Sequence, residues 1–295
     1  MTKPRIGFIG LGLMGAAMVE RLQSLGYELT VIANRSRKAI DDAVARGATE
    51  AGTSAELAAA SDIVMFCMDT SASVESRVYG DEGVLAGLKE GSVVIDFGTS
   101  LPGSTQKIGA DMAAKGAVYL DAPLGRTPAH AKDGLLNIMC SGDEATYQKV
   151  KPVLDDLGEN VFHLGPLGTG HTIKLINNFF AMTTACAMAE AFAMADRADV
   201  PRDKLYQVMS AGPLHSGMMD FVRNFAMDGK IDLAFSLGNA SKDVGYYRQM
   251  AEGLGANSRM SSAAADTLKE ALGAGWGDRM VPEIVDYLAG SMDGK

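Results

Sequence analysis

Ile6-Gly7-Phe8-Ile9-Gly10-Leu11-Gly12-Leu13-Met14-Gly15 is an apolar run that passes straight into a glycine-rich turn, and residues 16–25 continue it with helical character. Gly10, Gly12 and Gly15 spell G-x-G-x-x-G. Each glycine answers a physical need. The first permits a tight turn, the second lets backbone amides approach a pyrophosphate, and the third lets the helix pack closely on the strand. The start of the helix adds free N–H groups and the positive end of its dipole. A glycine-rich turn alone can be purely structural. With a strand before it and a helix after it, the reading is a dinucleotide cofactor held by Gly10, Leu11, Gly12, Leu13, Met14 and Gly15.

Outward from this unit the first half alternates short apolar strands with helices. Residues 28–33, 62–67 and 92–96 read as strands, and 118–121, 136–141 and 160–163 continue the series. Such alternation implies a doubly wound, mostly parallel sheet. From Gly168 onward no segment reads as a strand, and long helical periodicities follow over 172–198, 202–211, 237–254 and 258–272. Gly165-Pro166-Leu167-Gly168-Thr169-Gly170 punctuates the change. The expected architecture is α/β: a Rossmann-type domain over 1–165 and an all-helical domain over 166–295, with the reactive cleft between them.

A length of 295 residues allows two ordinary domains, each with its own core. Hydrophobic residues at 47% and charged residues at 21% suit a water-soluble globular protein. The net charge of −9 argues against nucleic-acid binding, which needs a basic face. Cys67, Cys140 and Cys186 are scattered and odd in number, and no Cys/His cluster suggests a metal, so reduced thiols in a cytoplasmic protein are expected. The glycines of the first turn interrupt the N-terminal apolar stretch too often for an export signal. Residues 173–195 are apolar, but Lys174, Asn177, Asn178 and Glu190 make a buried core helix the expectation rather than a membrane span. The eighteen methionines read as core filler.

NAD enzymes of this fold place an acid about 20 residues beyond the glycines to bond the ribose diol. Here the second strand ends in Ala33-Asn34-Arg35-Ser36-Arg37-Lys38. No carboxylate repels a 2′-phosphate. Arg35 can fork onto that phosphate, with Asn34 and Ser36 beside it and Arg37 or Lys38 close by. NADP(H) is therefore expected over NAD(H). Met68 and Thr99 are read as further cofactor contacts.

Gly168-Thr169-Gly170-His171-Thr172-Ile173-Lys174-Leu175-Ile176-Asn177-Asn178 opens the first long helix of the second half. Lys174 and Asn178, four apart, share a helix face, and Asn177 adjoins it. A lysine suits acid–base work because burial and a nearby cation can lower its pKa. His171, one turn earlier, reads as a hydrogen-bonder of the loop. The four histidines form no metal-binding pattern.

The run G-x-G-x-x-x-K-x-x-x-N, with the N-terminal glycine signature, resembles the β-hydroxyacid dehydrogenase family, which includes 3-hydroxyisobutyrate dehydrogenases and tartronate semialdehyde reductases. The likeness covers essentially the whole chain. Asp121-Ala122-Pro123-Leu124 is similar to the family's substrate motif D-A-P-V, and Lys242-Asp243 to its late K-D motif. The resemblance implies that Lys174 is the catalytic acid/base, that Asn178 orients the substrate, and that Lys242 closes over the cofactor. It also implies a homodimer or homotetramer.

Two departures bear on the substrate. Gly125-Arg126-Thr127 replaces the usual Ser-Gly-Gly and is similar to the sulfolactaldehyde-reducing members of the family; those that use NAD carry an acid where this chain has Asn34-Arg35. A guanidinium at 126 offers a planar fork to a terminal carboxylate or sulfonate, unless it pairs with a protein carboxylate such as Asp133. Gly98 replaces a serine that contacts the substrate carboxylate in the family, a loss that Arg126 or Ser100 would offset. The expected substrate is a small anionic aldehyde or hydroxy acid, bound by Gly125, Arg126, Thr127, Asn177 and Ser100. Rival readings are an imine reductase, which generally lacks the lysine, and a non-enzymatic nucleotide-binding module.

Overall fold

The computed structural model describes residues 3–33 and 37–292, which divide into two compact units at Lys174/Leu175. The first unit opens with β1 (Ile6–Ile9), α1 (Leu13–Ser24), β2 (Leu29–Val31), α2 (Lys38–Ala45), β3 (Thr49–Glu50), α3 (Ser54–Ala60) and β4 (Ile63–Phe66). It continues with α4 (Ser71–Val78), α5 (Val84–Gly87), β5 (Val93–Asp96), α6 (Pro102–Ala113) and β6 (Val118–Asp121). These six strands are all parallel, in the order β3-β2-β1-β4-β5-β6. This is the doubly wound order, and the chain reverses direction of growth beside β1, where ligands of such sheets bind.

The strands β1, β4 and β5 are apolar at nearly every position because both faces of the sheet are covered. On one face Ile6, Phe8, Met65 and Ile95 pack with Met18 and Leu22 of α1. On the other, Ile9, Val64, Phe66 and Val94 pack with Leu57 of α3 and Ile108 and Met112 of α6. Full burial of such side chains contributes about 1.5–3 kcal/mol each.

One sequence expectation needs correction here. The segments 136–141 and 160–163 do not extend the parallel series. After β6 come β7 (Leu124–Gly125), α7 (Pro128–Asp133), β8 (Leu136–Cys140), α8 (Glu144–Leu157) and β9 (Gly158–His163), and β7, β8 and β9 form a separate three-stranded sheet. β7 and β8 are antiparallel, β8 and β9 parallel. Pro123 has no N–H for a ladder and stands two residues beyond the edge strand β6. The chain is therefore turned out of the first sheet, and the bridge from Asp121 to Ser141 ties the sheets together.

The long helix α9 (Thr169–Arg197) begins in the first unit and runs on into the second. There it is followed by α10 (Arg202–Ser210), α11 (Gly217–Asp228), α12 (Leu237–Gly253), α13 (Arg259–Gly273), a 3-10 turn (Val281–Glu283) and α14 (Ile284–Ser291). The core of this unit gathers Met182, Met188, Phe192, Met219, Leu237, Val244, Leu268, Ile284 and Val285. Only one face of α9 is buried: Phe180 is 71% and Met194 55% exposed, so the helix is not the fully buried one its composition suggests. No helix among the described residues is long and apolar enough to cross a membrane.

Candidate active site

The β1–α1 turn assigns each of its glycines a distinct job. Gly10 has φ +100°, and a Cβ there would lie 2.3 Å from the Cys67 carbonyl oxygen. A Cβ on Gly15 would lie 2.0 Å from the Gly10 carbonyl oxygen, so α1 sits as close to the strand end as backbone allows. A Cβ on Gly12, by contrast, would meet nothing within 4 Å. The space over the middle glycine is open, and α1 starts there without a side-chain cap or an acidic residue in its first turn. Uncapped N–H groups under open space fit a dinucleotide pyrophosphate. Leu13, 76% exposed, stands on this rim, while Leu11 and Met14 pack partly against the core. Met68 adjoins the turn: its Cγ lies 3.1 Å from where a Gly10 side chain would begin. Thr99 is half-buried beyond the end of β5.

Asn34, Arg35 and Ser36 lie outside the described residues. Around them, Arg37 forks onto Glu50, at 2.6 and 3.1 Å, and bonds Asp41, and Lys38 pairs with Asp42. Both flanking cations are thus paired with carboxylates of their own surroundings, whose hydrogen bonds raise their pKa values. Arg77 of α4, which the sequence reading passed over, reaches the end of β2, where its Nη2 donates to the Ala33 carbonyl at 3.4 Å. No spacing rule links residues 33 and 77; the parallel sheet brings them together.

At the carboxyl edge of the sheet two aspartates, Asp96 of β5 and Asp121 of β6, are register partners and fully buried. Such groups persist only with donors around them. Asp96 accepts from the Gly98 N–H, at 2.8 Å, the Ser100 hydroxyl, at 3.0 Å, and the Tyr119 hydroxyl, at 3.2 Å. Burial first, then the charge of Asp96, raises the Tyr119 pKa well above the usual phenol value, so it remains a donor. Asp121 accepts from Ser141 Oγ, from the Gly168 N–H, at 2.8 Å, and from the His171 N–H, at 2.7 Å. The His171 ring is wholly buried between the carboxylates, with Nε2 3.7 Å from Asp96 and Nδ1 3.8 Å from Asp121. Its Nδ1 also lies 2.7 Å from Thr105 Oγ1. His171 is therefore a buried framework residue, not a loop contact.

One expectation is corrected here. Ser100 is 3% exposed and its hydroxyl belongs to Asp96, so it faces no substrate space. A side chain at Gly98 would lie 2.8 Å from the Met68 carbonyl oxygen and 3.0 Å from Asp96 Oδ1, so this backbone leaves no room for a serine there. Cys140 is equally unavailable as a nucleophile, since burial and then Asp121 push its thiol up to about 12.

Lys174 is half-buried, and its Nζ donates to the Leu124 carbonyl of β7 at 2.7 Å. Beyond it, Gly125 packs over Asn137, where a Cβ would come within 3.2 Å. Arg126 holds φ +76°, a conformation unusual for a side-chain-bearing residue. Its Nη1 donates to the Leu135 carbonyl, at 2.7 Å, and pairs with Glu159 of β9 at 2.5 Å. The partner carboxylate is Glu159, not Asp133, and the guanidinium is engaged rather than idle. Thr127 bonds His130, Oγ1 to Nδ1 2.7 Å, and starts α7.

In the second unit, Asn178 stands one helical turn past Lys174 on α9. Its Nδ2 donates to Asp243 Oδ2 of α12 at 2.6 Å, and its Oδ1 accepts from the more exposed Asn177 at 3.3 Å. Asp243 is 1% exposed, and its other oxygen pairs with Lys242 Nζ at 2.9 Å; that ammonium also lies over the Tyr246 ring. Asp243 thus fixes which way the Asn178 amide points. The K-D pair was visible in the sequence, but only Lys242 drew a role from it.

Residues 5–165 match the family described as the NAD-binding domain of 6-phosphogluconate dehydrogenase. Residues 168–288 match the one described as the NAD-binding domain of NADP-dependent 3-hydroxyisobutyrate dehydrogenase. The chain is 31% identical to the 3-sulfolactaldehyde reductase of Escherichia coli over 92% of its own length and 91% of that protein's. It is 30% identical to the NAD-dependent L-serine dehydrogenase of Pseudomonas aeruginosa, over 93% and 94% of the two chains. The solved Mycobacterium tuberculosis 3-hydroxyisobutyrate dehydrogenase with L-serine superposes with a TM-score of 0.88 at 26% identity, covering 97% of this chain and 99% of that one.

Proposed function

The chain belongs to the 3-hydroxyisobutyrate dehydrogenase-like family of β-hydroxyacid dehydrogenases, and from that membership we propose that it moves a hydride between NADP(H) and a small β-hydroxy acid or semialdehyde bearing a terminal anion. NAD(P)-dependent chemistry on small hydroxy acids is the activity of the family. The observation that carries the reading for this chain is Lys174, a half-buried ammonium 2.7 Å from the Leu124 carbonyl, on the helix that starts against the carboxyl edge of the Rossmann sheet.

The nicotinamide, when bound, supplies or accepts the hydride. In reduction, Lys174 Nζ gives its proton to the forming alkoxide oxygen; in oxidation the neutral amine takes the hydroxyl proton. Asn178, its amide oriented by Asp243, holds the reacting oxygen. The backbone of 125–127 and Arg126 hold the anion. Glu159, half exposed, is a weak competitor for Arg126, since such pairs are worth at most about 1 kcal/mol. Carboxylate and sulfonate both suit the fork. The NADP preference is supported by Asn34-Arg35, by the absence of an acid there, and by Arg77 at the end of β2.

The test is NADPH oxidation across a panel of carboxylated, sulfonated and uncharged short aldehydes, with Lys174→Ala in parallel. Charged aldehydes should turn over best, and Lys174→Ala should lower kcat by about 10²–10⁴-fold with NADPH affinity nearly intact. Turnover within a few-fold of wild type in that variant would remove Lys174 from the mechanism.

A further inference from the structure

We propose that the 121–124 segment is a two-point cradle for Lys174, in which Asp121 anchors the start of α9 and the Leu124 carbonyl receives the ammonium, making Asp121 and Ser141 positioning residues for proton transfer. The inference rests on the reading of Lys174 as the acid/base.

A helix leaves its first N–H groups without partners, and its start is only as fixed as whatever satisfies them. At α9 they are taken chiefly by Asp121 and by Ser141, which is bonded to it. Asp121 Oδ1 accepts from Gly168 and Oδ2 from His171, while Ser141 Oγ accepts from Gly170 at 2.9 Å and itself donates to Asp121. Thr169 N–H goes to the Pro166 carbonyl. Both carboxylate oxygens are thus used as acceptors, and their charge complements the positive end of the helix.

The contact is also close. A Cβ at Gly170 would lie 2.2 Å from the Met139 carbonyl oxygen, 2.9 Å from Asp121 Oδ2 and 3.2 Å from Pro123 Cδ, so the helix backbone rests directly on the segment. The segment is itself pinned. Asp121 and Ser141 exchange backbone bonds, Ala122 N–H donates to the Asp96 carbonyl, and Met139 N–H donates to the Pro123 carbonyl. Three residues beyond Asp121, the Leu124 carbonyl takes the Lys174 ammonium. One turn of helix and three residues of chain therefore close a rigid loop whose two ends are the anchored α9 start and the lysine head. D-A-P-L, read from the sequence as a substrate motif, acts here through the lysine.

Misplacing a reacting group by about 1 Å lowers rates by as much as about 100-fold, which is the size of effect at stake. Ser141→Ala removes one link. Asp121→Asn replaces an acceptor with a donor that faces an N–H. Each is made alone and combined with Lys174→Ala, and the folded proteins are assayed for kcat and for NADPH affinity by fluorescence. Ser141→Ala should lower kcat about 10-fold and Asp121→Asn up to about 100-fold, with NADPH affinity within a few-fold of wild type. In the Lys174→Ala background neither should lower kcat further, because the group being positioned is gone. If Asp121→Asn does not fold, Ser141→Ala decides the matter. Equal fold-losses with and without Lys174, or unchanged kcat in Ser141→Ala, would overturn the cradle while leaving Lys174 in place. Near-wild-type turnover of Lys174→Ala alone would instead overturn the proton-transfer reading, and the cradle's purpose with it.

Discussion

Arg126 shows how far a single residue can be read. Its type and place in the chain suggested an anion fork; its φ of +76° and its bonds to Leu135 and Glu159 emerge only when β7 lies beside β8 and β9. If Arg126 still receives the substrate anion, Arg126→Ala should raise KM for carboxylated or sulfonated aldehydes by one to two decades, since a charge-assisted bond is worth about 1.5–3 kcal/mol. An uncharged aldehyde of equal length should be affected far less. Glu159→Gln should lower KM for the anionic substrates modestly by releasing the guanidinium. Equal losses on charged and neutral aldehydes would assign Arg126 to the small sheet instead. Ser100 and Gly98 teach the opposite lesson. Ser100 was read as a substrate contact offsetting the serine absent at Gly98, but burial and the proximity of Asp96 and Met68 are properties of packing that no local pattern encodes.

At the scale of elements, the β1–α1 unit was the most legible, because the positive φ of Gly10 and the approach of Gly15 to the Gly10 carbonyl are backbone sterics within ten residues of chain. Two substitutions separate its functions. Gly15→Ala forces a methyl group to within 2.0 Å of the Gly10 carbonyl oxygen, so it should destabilise the fold by about 1–3 kcal/mol in urea titration as well as weaken NADPH. Gly12→Ala meets nothing, so stability should stay within about 0.5 kcal/mol of wild type while NADPH affinity falls, because the methyl occupies the pyrophosphate's space. A Gly12→Ala protein that binds NADPH normally would place the cofactor elsewhere. The small elements were less legible. β3 and β7 have two residues each and α14 only eight; too few residues repeat for periodicity to speak. The segments of β8 and β9 were read as strands, but their sheet was misassigned, because pairing is decided by where the chain leaves the first sheet at Pro123 rather than by strand composition.

For the molecule as a whole, the cofactor should act as a stabilising ligand. At a free concentration of 100 Kd it adds about 2.7 kcal/mol to the folded state, so NADPH should raise Tm measurably in thermal-shift assays and NADH less at equal concentration. Arg35→Asp should reverse that order, since a carboxylate bonds the ribose diol and repels a 2′-phosphate. A larger shift with NADH in the wild-type protein would overturn the preference. The sequence alone determined the α/β class, the doubly wound sheet, the glycine-rich turn after β1 and the candidacy of Lys174, because glycine sterics, strand burial and helix spacing act between near neighbours in the chain. Tertiary structure alone decided that Asp96 and Asp121 lie side by side in the register of β5 and β6, that Asp121 anchors α9, that Asp243 orients Asn178, and that Arg77 reaches the end of β2. Those pairs join residues 25 to 65 positions apart, and only the folding of strands and helices onto one another brings them side by side.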